Sequence, residues 1–262
     1  MRECREKRKA RKFEMIAALL IGRKGSVGFP HKNVYPVVGH PLAFYPLTAA
    51  KEAELVDDVF ISTDCPELMK LAKGHKVHII ERPAELCTNH ALGETVFVHG
   101  YKMITELKGP LELIVLLHCN SATVNSDLID QGIRILRNHE SYDSAVSVSK
   151  YNMWSPLRAR KIGKDGLLQP FVPFETFGDR IKLNCDRDSQ GDVYFADMSV
   201  SVVRPRCLEN IEHGLLPQKW MGQKIYPLVQ EAGCDIDFEY QVPQTEYWLK
   251  KYWKHNNLEV LK

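Results

Sequence analysis

Apolar residues come in short blocks along this chain, alternating with segments in which they recur at helical spacing. The run Met15–Ile21 is almost wholly apolar, residues 58–62 and 77–81 form shorter runs, and residues 111–117 form the most apolar one. A continuous apolar run of this length reads as a strand, and 111–117 as a central strand buried on both faces. Residues 144–149, 193–203 and 225–229 are predicted as further strands. Between them, Leu42, Tyr45, Leu47, Ala49, Ala50 and Ala53 mark one face of a helix over 41–54. Val96, Phe97, Gly100, Met103, Ile104 and Leu107 mark the buried face of another that ends at Lys108. Helices are also expected over 66–73 and 126–138, a short one over 207–213, and a last one from about Pro243. Strands alternating with helices predict an α/β fold with a mostly parallel sheet.

The alternation lapses between 150 and 192, where Pro156, Pro170 and Pro173 mix with Tyr151, Trp154, Phe171, Phe174 and Phe177. An irregular segment that long reads as an inserted subdomain, a lid or a dimer arm. The expected organisation is a basic extension over 1–14, then one domain over 15–262 carrying 150–192 as its insertion. A chain of 262 residues can bury a substantial core.

A net charge of +2 gives no reason to expect nucleic acid as the main partner. The basic residues Arg2, Arg5, Lys7, Arg8, Lys9, Arg11 and Lys12 crowd the first dozen positions. A solvated terminus is the preferred reading, with a tether to nucleic acid or acidic lipid as the alternative. No run is long enough to span a membrane. The seven cysteines are scattered without a C-x-x-C pair, which argues for reduced thiols and a cytoplasmic location, against a zinc site or a disulfide framework.

Two short stretches carry chemistry. After the first strand come Gly22, Gly25 and Gly28, a loop whose amides would approach a phosphate closely. Arg23 and Lys32 add charge there, Ser26 a hydroxyl, and Asn33 a paired donor and acceptor suited to a base or ribose. The spacing is G-x-x-G-x-x-G, which is neither the dinucleotide G-x-G-x-x-G nor a P-loop. Near the other end, Asp235 and Asp237 flank Ile236. On an extended segment both point the same way, so the pair suits a hard cation such as Mg²⁺ sharing a substrate's phosphates; a capped strand end is the alternative. Asp64, just beyond residues 58–62, reads as the N-cap of the 66–73 helix, with a ligand contact as the alternative.

Gly22-Arg23, Ser26, Gly28, Pro30, Lys32 and Asn33 together resemble the A-R-x-x-S-K-G-x-P-x-K-N signature of acylneuraminate cytidylyltransferases. Arg82 to Leu86 matches that family's R-P-A-E-L, and Asp235-Ile236-Asp237 its D-I-D, so the resemblance runs from about 15 to 252. It implies a doubly wound, Rossmann-like nucleotidyltransferase sheet with an inserted dimerisation subdomain. It further implies an enzyme that transfers CMP from CTP to the anomeric hydroxyl of a keto-sugar acid of the sialic type, releasing pyrophosphate. By the same resemblance Arg23, Lys32 and Asp237 would be catalytic, and Gly22, Ser26, Asn33, Arg82 and Gly93 would join Arg23 and Lys32 around the nucleotide. His118, Asn120, Ser121, Arg158 and Arg187 would face the sugar, Asp235 and Asp237 would hold Mg²⁺, and the chain would form a homodimer. Val27, Gly93, His118, Asn120 and Met198 depart from the family pattern. A nucleotide-binding relative without catalysis, or one of altered specificity, therefore stands as the alternative.

Overall fold

In the computed structural model, residues 15–186 and 191–253 are described. The chain runs β1 (Met15–Ile21), β2 (Pro36–Val37), β3 (His40–Pro41), α1 (Phe44–Glu52), β4 (Asp58–Thr63), α2 (Pro66–Gly74), β5 (His78–Glu81), α3 (Gly93–Lys108) and β6 (Leu111–His118). It continues through α4 (Ser126–Asn138), β7 (Ser144–Lys150), β8 (Arg160–Ile162), β9 (Leu168–Pro170), β10 (Tyr194–Val203), α5 (Pro205–Glu209), β11 (Ile225–Gln230) and α6 (Val242–Tyr252). The predicted α/β alternation is borne out.

Seven strands form one sheet in the order β11-β7-β10-β6-β1-β4-β5, parallel except for β10, which runs antiparallel to both neighbours. The half β5-β4-β1-β6 has the order of a doubly wound nucleotide-binding unit, while β10 breaks that pattern on the other side. From β1 the chain crosses to β4 on one side, and β6 lies on the other, so the carboxyl ends of β1 and β6 bound a crevice at the switch in strand order.

Two apolar layers close over the sheet. On one face Leu47 and Ala50 of α1, Leu68 and Ala72 of α2, and Ile129 and Ile133 of α4 pack against Ala18, Leu20, Leu113 and Val115. On the other, Val96, Phe97 and Ile104 of α3 meet Ala17, Leu19, Ile114 and Leu116, with Trp220 and Met221 alongside. β6 is buried on both faces from Leu113 to Leu117, as that apolar run requires. Truncating a residue such as Leu116 to Ala would cost roughly 2–5 kcal/mol. Leu107, expected on the buried side of α3, is 66% exposed; the buried face of that helix is Val96, Phe97, Gly100, Tyr101 and Ile104 and ends one turn before the helix does.

A third, smaller cluster positions the site. Phe29 from the glycine loop, Ile236 from between the two acids, and Trp248 and Leu249 of α6 pack together with Tyr45 and Ala122. This packing brings residues more than 200 positions apart in sequence to the same edge of the sheet.

Between Lys150 and Tyr194 the chain leaves the sheet, forms the β8–β9 hairpin, and returns beside β7. Met153, Trp154, Ile162, Leu168, Phe171 and Ile181 are exposed on this excursion. The basic segment 1–14 and Arg187 lie outside the described residues.

Candidate active site

The loop after β1 starts as an extension of the sheet: the Gly22 amide donates to the Ser62 carbonyl at 3.2 Å. Beyond it the backbone lifts over the sheet edge toward the acids. At Gly28 a Cβ would sit 2.9 Å from the Asp237 carbonyl oxygen and 3.2 Å from a ring carbon of Phe238, so only glycine lets the two segments approach this closely. The Lys24 amide donates to Asp64 Oδ1 at 2.7 Å. Asp64 was expected to cap α2; instead Cys65 stands at that helix's N-cap, without a side-chain cap bond, and Asp64 braces the glycine loop. Asn33 is buried, and its amide donates to the Arg23 carbonyl at 3.1 Å, so it also holds the loop from within. Arg23, Ser26, Lys32 and Asn33 line one shallow depression beside Cys65.

Arg82 is 9% exposed and donates to the Ser62 carbonyl at 2.6 Å, at the tip of β4. It is neither a surface arginine nor a partner of Glu81 or Glu85, and burial lowers its pKa while Cys119, Cys87 and Asp64 work the other way. Gly93 is the first residue of α3; a Cβ there would meet only Ile21 Cδ1, at 3.9 Å, so packing does not require glycine.

Across the crevice, Asp235 and Asp237 sit on an extended run outside any regular strand, with Ile236 between them fully buried. The apolar residue packs into the core, Asp235 is partly buried beside it, and Asp237 is exposed. Lys32 Nζ forms an ion pair with Asp237. Burial pushes Asp235 up to about 6, the Asp237 charge adds to the rise, and Lys32 and a hydrogen bond from Asn120 oppose it. Gln241 Oε1 accepts from the amides of both Asp237 and Phe238 at 2.8 Å and fixes the turn after the pair. Two neighbouring carboxylates with one lysine make a place where a hard cation gains, and substrate phosphates would complete its shell. Among the described residues no group of three or more His, Cys, Asp and Glu forms a closed metal cage.

The residues expected to face the sugar divide. His118 ends β6, with its ring 5.2 Å from Phe97 and 6.1 Å from Trp220. Burial pushes it down to about 4, against a hydrogen bond that the ring donates to the Met198 backbone, so it is neutral near pH 7. Asn120 serves the acids: its Nδ2 donates to Asp235 Oδ2 at 3.2 Å and to the Ile236 carbonyl at 3.0 Å. Ser121 is fully buried, with Oγ 3.2 Å from both Ser199 Oγ and the Cys234 carbonyl, and presents nothing to an open pocket. Arg158 lies on the inserted excursion, donating to the Cys185 carbonyl at 2.6 Å beside a cavity of about 660 Å³ that Arg160, Arg180 and Phe174 also line. Asp197, on β10, is 4% exposed and so does not face solvent.

Gln241, Tyr151 and Thr123 are each bonded to the acid run or its approach, a role that the sequence does not predict for any of them. Nothing local distinguishes them from ordinary polar residues; only Gln241, four residues past Asp237, had a spacing that pointed at a turn.

The family model described as Cytidylyltransferase matches residues 17–162, more than half of the chain. N-acylneuraminate cytidylyltransferase A of Danio rerio is 26% identical over 242 residues, covering 91% of this chain and 51% of that protein. N-acylneuraminate cytidylyltransferase of Escherichia coli O18:K1:H7 is 28% identical over 137 residues, covering 52% of this chain and 32% of that protein. The chain thus spans a third to a half of the length of these curated relatives. Among solved structures, CMP:2-keto-3-deoxy-manno-octonic acid synthetase complexed with CTP superposes with a TM-score of 0.62 at 13% identity, covering 91% of this chain and all of that one. The 4-diphosphocytidyl-2C-methyl-D-erythritol synthase of Anaerococcus prevotii gives 0.58 at 14%, covering 91% and 97%. At such identities the superpositions speak for the fold, while the sequence match carries the family. By its glycine loop, its sheet and that match, this chain belongs to the cytidylyltransferase family.

Proposed function

We propose that the protein is a sugar-acid cytidylyltransferase that transfers CMP from CTP to the anomeric hydroxyl of a keto-sugar acid of the sialic type. The observation that carries this reading is the meeting of glycine loop and acid run, sealed by the Lys32–Asp237 pair. In the reaction the hydroxyl oxygen forms a bond to the α-phosphorus of CTP, the bond from that phosphorus to the β-phosphate bridging oxygen breaks, and pyrophosphate and a proton are released. Positioning and charge compensation do most of the work in such transfers.

Arg23, Ser26 and the amides from Gly22 onward hold the triphosphate, and Lys32 stands where negative charge grows. Arg82, Asn33 and Gly93 bound the nucleoside side. Asp235 and Asp237 would hold Mg²⁺, which when bound offsets charge on the phosphates. His118, neutral at working pH, offers a hydrogen bond and no charge to the acceptor. Arg158 and Arg187 are assigned to the sugar carboxylate. The exposed apolar residues of the 150–192 insertion support its role as the arm of a homodimer. Among the described residues no helix is long and apolar enough to cross a membrane.

A second reading is a relative that binds nucleotide without turnover or takes another acceptor. Val27, 76% exposed on the loop where the resembled enzymes carry lysine, favours it. Pyrophosphate release measured with CTP and a panel of keto-sugar acids separates the two. Release that requires both CTP and one of the acids supports the first reading; CTP binding without release supports the second; absence of CTP binding overturns both.

A further inference from the structure

The acid run belongs to no strand, yet its backbone is tied on both sides of Asp235. The Gly233 amide donates to Ser149 Oγ at 2.8 Å, and its carbonyl accepts from the Tyr151 hydroxyl at 2.8 Å. The Cys234 amide donates to Thr123 Oγ1 at 2.9 Å, and its carbonyl accepts from that hydroxyl at 3.0 Å. The Ile236 amide donates to the Asn120 carbonyl at 2.9 Å.

Behind these bonds stands Asp197, almost completely buried at the bulge where β10 loses register with β7. Its Oδ1 accepts from Ser147 Oγ and, at 3.2 Å, from the Ser199 amide. Its Oδ2 accepts from Ser149 Oγ at 2.7 Å and from Gln230 Nε2 at 2.9 Å. The hydroxyl of Ser149 thus passes the grip of Asp197 on to Gly233, and a Cβ on Gly233 would lie 2.3 Å from Asp197 Oδ2. A carboxylate satisfied by neutral donors in the interior is costly to shift, since each lost bond leaves charge unsolvated. Tyr151, at the neck of the insertion, also receives Gln244 Nε2 from α6 at 2.6 Å.

We propose that Asp197 and Tyr151 are positioning residues for the acid pair: acting on the amide and the carbonyl of Gly233, they set the backbone that aims Asp235 and Asp237. The proposal rests on the reading of those acids as ligands of a divalent cation. Through Tyr151 it also ties the neck of the insertion to the cation site.

The test is titration of the full chain with Mn²⁺, followed by water-proton relaxation, with CTP present and no acceptor. Wild type is compared with Asp197→Asn, Tyr151→Phe and Asp235→Asn, and thermal midpoints are recorded alongside. The expected result is a Mn²⁺ dissociation constant raised roughly tenfold in Asp197→Asn, the usual effect of losing an outer-shell partner. A smaller rise is expected in Tyr151→Phe, with CTP affinity at saturating metal unchanged and the Tyr151→Phe midpoint near wild type. If Asp197→Asn does not fold, Tyr151→Phe decides. Wild-type Mn²⁺ affinity in Tyr151→Phe, with affinity lost in Asp235→Asn, overturns the positioning role and leaves the cation reading intact. Failure of wild type to bind Mn²⁺ overturns both.

Discussion

Lys32 and Asp237, 205 positions apart in sequence, pair their side chains across the crevice between the glycine loop and the acid run. Asp237 is 56% exposed at its side chain, so solvent screens the pair and its contribution to folding is about 0–1 kcal/mol. In the proposed reaction the pair would matter for catalysis, since the ammonium and the carboxylate stand where a triphosphate and its metal would come between them. Lys32→Ala and Asp237→Asn are each expected to lower the rate of pyrophosphate release by roughly 10²–10³-fold. Their unfolding midpoints should stay close to wild type, which denaturant titration checks.

Asp235 is pushed up to about 6 by burial and by the Asp237 charge. Because the folded state holds this proton more tightly than the unfolded one, stability from it is fully present below the ordinary aspartate range. It is lost as pH rises through about 6. Asp235→Asn should therefore be more stable than wild type at pH 7 and lose that advantage near pH 4. Cation binding needs the ionised form, so the apparent metal requirement of the wild type should rise as pH falls below 6. Urea unfolding at several pH values, and metal titration of the activity across the same range, read the two effects.

Gly28 lies where a Cβ would press on the Asp237 carbonyl at 2.9 Å. Backbone cannot yield as a flexible side chain does, so Gly28→Ala should push the loop off the acid run. A loss of kcat/KM of about two orders of magnitude is expected, since small displacements of reacting groups are expensive. Stability should fall by only about 1–3 kcal/mol, the usual cost of overpacking. Steady-state kinetics with a thermal melt distinguishes the local displacement from unfolding.

Arg82 holds the Ser62 carbonyl from a nearly water-free position. Arg82→Ala removes the charged donor and leaves that carbonyl only the Gly22 amide, a cost of roughly 1.5–3 kcal/mol, and should also raise the KM for CTP. Arg82→Lys keeps the charge but not the planar fork, and should recover most of the stability while leaving the KM raised. Equal KM values in Arg82→Lys and wild type would remove Arg82 from the nucleotide site.

The elements legible beforehand are those whose burial is written in their own residues. The runs of β1 and β6 and the spacing in α4 each report a local face, so their identities and approximate bounds agree with the structure. The loop glycines and the D-I-D run were legible for the same reason, because close approach and a shared side are properties of a few consecutive residues. Side-chain partners were not. Asp64 has the sequence setting of a helix cap, yet it bonds a loop amide 40 positions away. Asn120 and Ser121 have the look of loop residues facing a ligand, yet both are consumed by the acid run more than 110 positions on.

The sequence by itself determined the α/β alternation, the family and the two short stretches that carry the chemistry, since each depends on residue type and spacing within a few turns of chain. Only the tertiary structure decided which polar groups face the crevice and which are spent holding it open. A hydrogen bond is made to whatever lies within about 3 Å, and in this sheet, with β10 antiparallel between β6 and β7, those neighbours come from distant parts of the chain.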